Sequence, residues 1–237
     1  MTPLFYENIV PITFAQHGTM RLRTPLDYQF TRDANAVPLT LSEIPLAAPW
    51  YPIAFTHEAR PRPVAILGLR DGENLFVDGK GRWREGAYVP TYVRRYPFAL
   101  GQTGEFITLC IEDRPDVLSE TIGKPLFDGD RPSALLESAM TFCRSAQAAE
   151  RATAPFIARL TELDLLDGRT ATVEVADGPK VSLSGFLTID EARFRALSDE
   201  VFLDLRRSGW LAAIYAQIQA TLNWSRLADR LSDRQAA

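Results

Sequence analysis

The pattern of apolar and polar positions predicts short strands and turns in the first half of the chain. Residues 1–60 contain seven prolines and little sustained periodicity, which disfavours long helices there. A helical turn is expected over 41–48, opened by Thr40 or Ser42. The first half is therefore expected to wrap a core with short elements.

A sharper strand pattern follows. The apolar runs 64–67 and 75–77 flank an Asp-Gly turn and predict a hairpin. A further turn leads to residues 82–84, so a three-stranded meander is expected. Residues 105–111 alternate between two side-chain sets and are expected to add a strand to the same sheet.

Helical periodicity dominates after residue 131. Ser133 opens a stripe of apolar residues at three- and four-residue spacing that predicts a helical segment over 133–166, facing the sheet. Pro155 is expected to kink or divide this segment. A second hairpin is predicted over 170–187, with its turn at Asp177-Gly178.

Helix signals also fill the C-terminal part. Asp190 and Ser198 are good N-caps for two short helices, and an apolar stripe predicts one final helix from Trp210 through Leu231. Three C-terminal helices are therefore expected.

Together these elements predict an α+β fold with a mainly antiparallel sheet. The long helical segment (133–166), the second hairpin (170–187) and the C-terminal helices complete it. The chain of 237 residues is expected to form one domain over 1–237, with a β-rich part over about 1–131 and a helix-rich part over about 132–237.

Composition narrows the function classes. The net charge of −4 is spread along the chain without a long single-sign block, which disfavours broad binding to nucleic acid. No apolar run approaches the roughly 20 residues that a membrane-spanning helix requires. The start of the chain lacks the basic residues of a secretory signal, and Cys110 and Cys143 are expected to be reduced core thiols. A cytoplasmic location is expected, with surface association by another export route left open.

Recognised catalytic and metal-binding spacings are missing from the sequence. His17 and His57 are the histidines, and they lie in neither an H-x-D nor an H-E-x-x-H pattern. The Gly-Lys pairs at 79–81 and 123–124 lack the remaining residues of nucleotide loops. The sequence therefore indicates no cofactor and no metal, and the catalytic residues, if there are any, are unknown.

The most suggestive stretch alternates arginines with aromatic residues, and its members are Trp83, Arg84, Tyr92, Arg94, Arg95 and Tyr96. Guanidinium groups beside aromatic faces can hold an anionic or aromatic ligand by bidentate hydrogen bonds and stacking. The alternative is that the aromatic residues pack the core while the arginines pair with acids.

Arg94 and Arg95 are expected to differ in role. If their segment is helical, adjacent side chains point about 100° apart, so one arginine can pack internally while the other faces a ligand.

Several blocks, in the same order, resemble the SapC family of bacterial proteins: LGLRDGENLFVD at 67–78, RRYPFAL at 94–100, KPLF at 124–127, VSLSG at 181–185 and LSDE at 197–200. The resemblance covers about residues 37–227. It implies a link to the bacterial surface layer, and it brings no catalytic residues.

The resemblance and the missing catalytic spacings lead to one functional hypothesis and one alternative. The hypothesis is a binding or accessory protein at the cell envelope, surface layer or nutrient uptake, with a small anionic or aromatic ligand or a protein partner. The alternative is an enzyme whose arginine and carboxylate groups come from distant segments. A deep pocket lined by Arg94, Arg95, Tyr96 and a buried carboxylate would favour the enzyme, and a flat convex surface would count against it.

Overall fold

The computed structural model describes residues 3–104, 106–173 and 180–236. Its strands are β1 Ile9–Pro11, β2 Arg21–Leu22, β3 Ala36–Pro38, β4 Ile53–Thr56, β5 Pro63–Ile66, β6 Phe98–Thr103, β7 Phe106–Glu112, β8 Leu118–Ser119, β9 Lys124–Pro125, β10 Phe127–Asp128, β11 Arg131–Pro132, β12 Leu166–Val173 and β13 Val181–Ile189. Its α-helices are α1 Phe14–His17, α2 Ile44–Ala47, α3 Thr91–Arg94, α4 Ala134–Glu162, α5 Glu191–Arg195, α6 Asp199–Arg207, α7 Leu211–Ala220 and α8 Asn223–Ala236, with 3-10 turns at Gln29–Thr31 and Leu41–Glu43. The α+β class is confirmed.

The largest sheet has the strand order β12-β13-β4-β5-β3, and its pairs are antiparallel. Its centre is fixed to α7 by Gln217, which is fully buried. The Gln217 amide accepts a hydrogen bond from Ile189 N at 3.2 Å and donates one to Ile53 O at 2.9 Å. A buried amide whose oxygen and nitrogen both find partners holds the helix in one register on the sheet.

The expectation that residues 105–111 join the same sheet is wrong. Strand β7 lies between β1 and β6 in a separate three-stranded sheet. A strand pattern shows which face is buried but does not identify the partner strand. Here the partners are the preceding strand β6 and the distant N-terminal segment β1.

The expected three-stranded meander over 64–84 is also wrong, because its second and third segments do not form strands of a sheet. Leu75 N donates to Leu67 O at 2.9 Å, but the pairing of 75–77 with 82–84 is reduced to one bridge, between Val77 and Trp83. The buried Asn74 explains the loss, because its side-chain oxygen accepts from Phe76 N at 2.8 Å. A side chain that takes a backbone donor competes with strand pairing.

Helix α4 runs without division past Pro155, so of the expected kink or division at this residue, the division is wrong. The helix ends at Glu162, before the expected limit of 166, and Asp164 takes a positive φ of 52°. Leu166 then starts β12, although its place in the apolar stripe suggested helix. Pro155 lies on the exposed side of the helix. It has no backbone N–H, so the carbonyl one turn earlier loses a helical hydrogen bond and can bond to water instead.

Strands β12 and β13 confirm a second strand pair around 170–187, although the pair is longer than expected. The expected turn at Asp177-Gly178 lies outside the described residues. Asp190 and Ser198 cap α5 and α6 as expected, by accepting from Arg193 N and Val201 N.

One final helix from Trp210 through Leu231 is wrong, because the chain forms α7 and α8 with a break at 221–222. Asn223 follows the break and is 3% exposed. Its amide donates to Ala48 O and Tyr51 O, at 2.6 and 3.0 Å, so tertiary hydrogen bonds fix the new helix direction. Four helices therefore follow β13 where three were expected.

Two hydrophobic clusters meet along α4. Leu136 and Cys143 belong to the cluster under β6 and β7, whereas Phe156 and Leu160 belong to the cluster around the five-stranded sheet. Burial raises the pKa of the Cys143 thiol to about 11, and Cys110 is also buried and free. Helix α4 therefore contributes to both clusters, and the single domain over 1–237 stays a prediction.

One domain predicts one unfolding transition. Phe156→Ala is expected to lower the free energy of unfolding by about 3–5 kcal/mol, and Ile111→Ala in the other cluster by about 2–5 kcal/mol, because each leaves a cavity at a fully buried position. Both variants should shift the same transition, measured by calorimetry and by far-UV circular dichroism. Two transitions, each shifted by only one of the variants, would contradict a single domain.

Candidate functional site

A candidate site is a groove of about 740 Å³ beside α4. One wall is the α4 face from Ala146 to Thr161, and the other walls are residues 38–43, the β4–β5 loop 58–63 and the segment 91–95. Leu39, Ala146, Ala154, Ile157 and Ala158 make much of the surface apolar. A groove of this size and character is typical of small-molecule sites.

Glu43 holds two walls of the groove together. It is 3% exposed, and its carboxylate accepts four hydrogen bonds of 2.6–2.9 Å, from the Thr40 N and Oγ1, the Tyr88 hydroxyl and Thr91 N. Thr40 and Glu43 form a capping box at the 3-10 turn Leu41–Glu43. Burial, and then the Glu43 charge, raise the pKa of Tyr88, so its hydroxyl remains a donor. These bonds tie the 3-10 turn to the start of α3.

Helix α4 is fixed to the same turn by Thr153. Its hydroxyl accepts from Leu41 N at 2.8 Å and donates to Ala149 O at 2.8 Å. The amide of Leu41 is at the start of the 3-10 turn, where no backbone acceptor is available. The groove therefore has a wall on each side whose position is set by hydrogen bonds.

Arg95 is the cation at the end of α3 that lines the groove. Its guanidinium lies over the Tyr92 ring, 4.0 Å from the centroid. The Nε atom is buried and has no hydrogen-bond partner, and within the described residues Arg95 forms no ion pair. The Arg95 charge acts on its neighbours. It opposes the rise that burial causes in the pKa of Tyr6 and in the pKa of Cys143.

Arg94 points elsewhere, as its neighbouring position in a helical turn requires. It is exposed, its Nη2 donates to Thr91 Oγ1 at 3.0 Å, and its guanidinium lies 5.5 Å from the Phe142 ring centroid. It does not line the groove. The two adjacent arginines therefore occupy different environments, as the sequence predicted.

Tyr96 is a core residue of the second cluster. Its ring stacks on Phe30 at 3.9 Å, and burial raises its pKa to about 12. Its remaining exposed edge lines another depression, beside Arg114 and Asp116.

Trp83 and Arg84 lie in a third part of the structure, next to α8. Trp83 is buried and donates from Nε1 to the Tyr51 hydroxyl at 3.2 Å, which fits the packing alternative. Arg84 is exposed and lines a depression against α8. The six predicted site residues are thus distributed over several places, and only Tyr92 and Arg95 face the groove together.

The sequence did not single out Glu43, Thr153 or the loop arginines Arg60 and Arg62. The turn was predicted from Thr40 or Ser42 as its first residue, and the capping-box spacing of Thr40 and Glu43 was a further signal that was not used. Arg62 pairs with Glu58 at 3.3 Å, and both are exposed. His57 is exposed in the same loop, and the described residues contain no group of three or more His, Cys, Asp or Glu side chains suited to a metal ion.

A model of the SapC family matches residues 12–227 of the chain. No curated protein and no solved structure gives a match. No helix within the described ranges is long and apolar enough to cross a membrane.

Glu43→Gln tests the role of the buried carboxylate. The amide nitrogen of glutamine cannot accept, so at least one buried donor loses its partner, and the free energy of unfolding should fall by about 2–4 kcal/mol. Glu150→Gln is the control, since Glu150 is exposed on the same groove and should change stability by less than about 0.5 kcal/mol. Urea denaturation measures both, and equal stability of the Glu43 variant and the parent would contradict this role.

Proposed function

The chain belongs to the SapC family, and from that premise we propose that it is a binding or accessory protein whose groove holds a small amphipathic acid. The ligand has an apolar aliphatic or aromatic body and one anionic group. The observation that carries the proposal is Arg95, a cation with a buried and unpartnered Nε at the side of an apolar groove.

The groove supports this ligand class by its charge as well as its shape. Among its acids, Glu43 has its hydrogen bonds within the protein and Glu58 pairs with Arg62. The third acid, Glu150, is exposed to solvent on α4. Arg95 and Arg60 have no ion-pair partner among the described residues. An anionic group beside Arg95 would supply the missing acceptor, and charge-assisted hydrogen bonds of this kind are strong.

The cellular context that we propose for this binding rests on the family. Its name implies a link to the bacterial surface layer, so we propose that the ligand is delivered to, or sensed for, the cell envelope or a nutrient-uptake system, from the cytoplasm. A protein partner that receives the ligand belongs to the same proposal.

The enzyme alternative has one observation in its favour, because Arg95 and the buried Glu43 line one groove from distant segments. Glu43 has four hydrogen bonds to groups of the protein, so its oxygens have little capacity left to take a proton from a substrate. Binding without turnover is therefore the better-supported function. Recovery of a chemically altered ligand after incubation would favour the enzyme.

Binding of 11-(dansylamino)undecanoic acid, followed by fluorescence, tests the proposal. Arg95→Met should weaken binding of the acid by about 10- to 100-fold, because a hydrogen-bonded charge contributes about 1.5–3 kcal/mol. It should leave binding of the uncharged methyl ester unchanged. Ala154→Trp, which fills the groove from an exposed position on α4, should abolish binding of both.

Arg94→Met is the matched control, since it removes the same charge one residue away and outside the groove. It should bind both probes as the parent does. If Ala154→Trp binds normally, or if the two arginine variants behave alike, the proposed site is wrong.

A further inference from the structure

A row of arginines on α8 forms a second unusual cluster. Arg226, Arg230 and Arg234 are spaced by four residues, which places them on one face of the helix. Arg84, from the segment after the Val77–Trp83 bridge, faces the same depression of about 730 Å³ as Arg230 and Arg234. Within the described residues none of these four arginines forms an ion pair.

Arg230 is the central member of the row. Its side chain is half-buried, with the guanidinium 4.1 Å from the centroid of the buried Phe76 ring. Its Nη1 is buried and has no hydrogen-bond partner. Buried polar groups are nearly always paired, so an unpaired guanidinium nitrogen points to an absent acceptor.

The neighbours of Arg230 make the local field positive. Burial, then Arg84, and to a smaller degree Arg226, lower its pKa to about 10, and Tyr51 opposes them. Asp78 already forms an ion pair with Arg82, in which Asp78 Oδ2 lies 2.7 Å from Arg82 Nη2. Glu85 and Asp233 are exposed at the rim, and neither forms an ion pair in the described structure.

The flanking arginines are held in place. Arg234, which lines the depression, donates from Nη1 to Asn74 O at 2.6 Å. Arg226, which lies outside the lining, donates from Nη1 to Asn223 Oδ1 at 3.0 Å. Each bond uses one nitrogen and leaves further donors on the same guanidinium. A preorganised set of donors binds an anion with little loss of side-chain freedom.

We propose that the depression between α8 and residues 75–85 is a binding site for a multiply charged oxyanion, such as a phosphate ester or pyrophosphate. Two or more guanidinium groups around one depression match the several oxygens and the double charge of a phosphate group better than a single carboxylate. The site is separate from the groove beside α4 and does not depend on the function proposed for it.

The half-buried charge has a consequence for stability. Burial, and then the charge of Arg84, lower the pKa of Arg230, so the half-buried charged guanidinium destabilises the folded chain at neutral pH. This penalty is relieved only at high pH, where the guanidinium would lose its proton. Arg230→Met keeps the contact with Phe76 and removes the charge, so at pH 7.5 without anions it should melt no lower than the parent.

Thermal melting and calorimetric titration with inorganic pyrophosphate at pH 7.5 test the site. For the parent, the Tm should rise by about 5–10 °C at about 100 times the Kd. Arg230→Met should lose this response, and Arg84→Met should bind at least 10-fold more weakly. Arg206→Met, which removes an exposed arginine on α6, should respond as the parent does.

Sodium chloride at matched ionic strength separates specific binding from screening, and it should not reproduce the rise in Tm. Equal responses of the parent and Arg230→Met would overturn the proposal. Binding of a glutamate-rich peptide without binding of pyrophosphate would also overturn it, in favour of a protein partner.

Discussion

The groove depends on the carboxylate of Glu43, which is buried and forms no ion pair within the described residues. The buried oxygens of Glu43 are satisfied because Thr40, Tyr88 and Thr91 direct donors at both of them. Those donors come from two separate segments, so the carboxylate fixes the distance between the 3-10 turn and α3. Thr153 then connects α4 to the same turn. The relative positions of the groove walls follow from these few bonds.

Arginine plays the opposite role in this molecule. Arg95 and Arg230 are each partly buried against an aromatic ring, and each has a buried nitrogen without a partner. Cation–π contact compensates a guanidinium only in part, and it gives its N–H groups no acceptor. The buried Glu43 is therefore satisfied internally, whereas Arg95 and Arg230 retain capacity for an external anion.

Local signals predicted local structure well. The N-caps at Asp190 and Ser198, the long helix from residue 134 and the different surroundings of Arg94 and Arg95 all follow from spacing and side-chain chemistry. The pairing of β7 with the N-terminal strand β1 and the break between α7 and α8 did not follow, because they depend on contacts between distant residues. The proposed site was also only partly found, since Trp83 is close to Arg95 in sequence but packs into a different part of the fold.

The most direct measurement of the central claim is a crystal structure of the protein soaked with 11-(dansylamino)undecanoic acid. The aliphatic chain of the ligand should lie against Ala154 and Ala158 of α4, and its carboxylate should lie within hydrogen-bond distance of Arg95. The Glu43 carboxylate should keep its four protein donors. An empty groove with the ligand bound elsewhere, or a ligand carboxylate directed away from Arg95, would contradict the account.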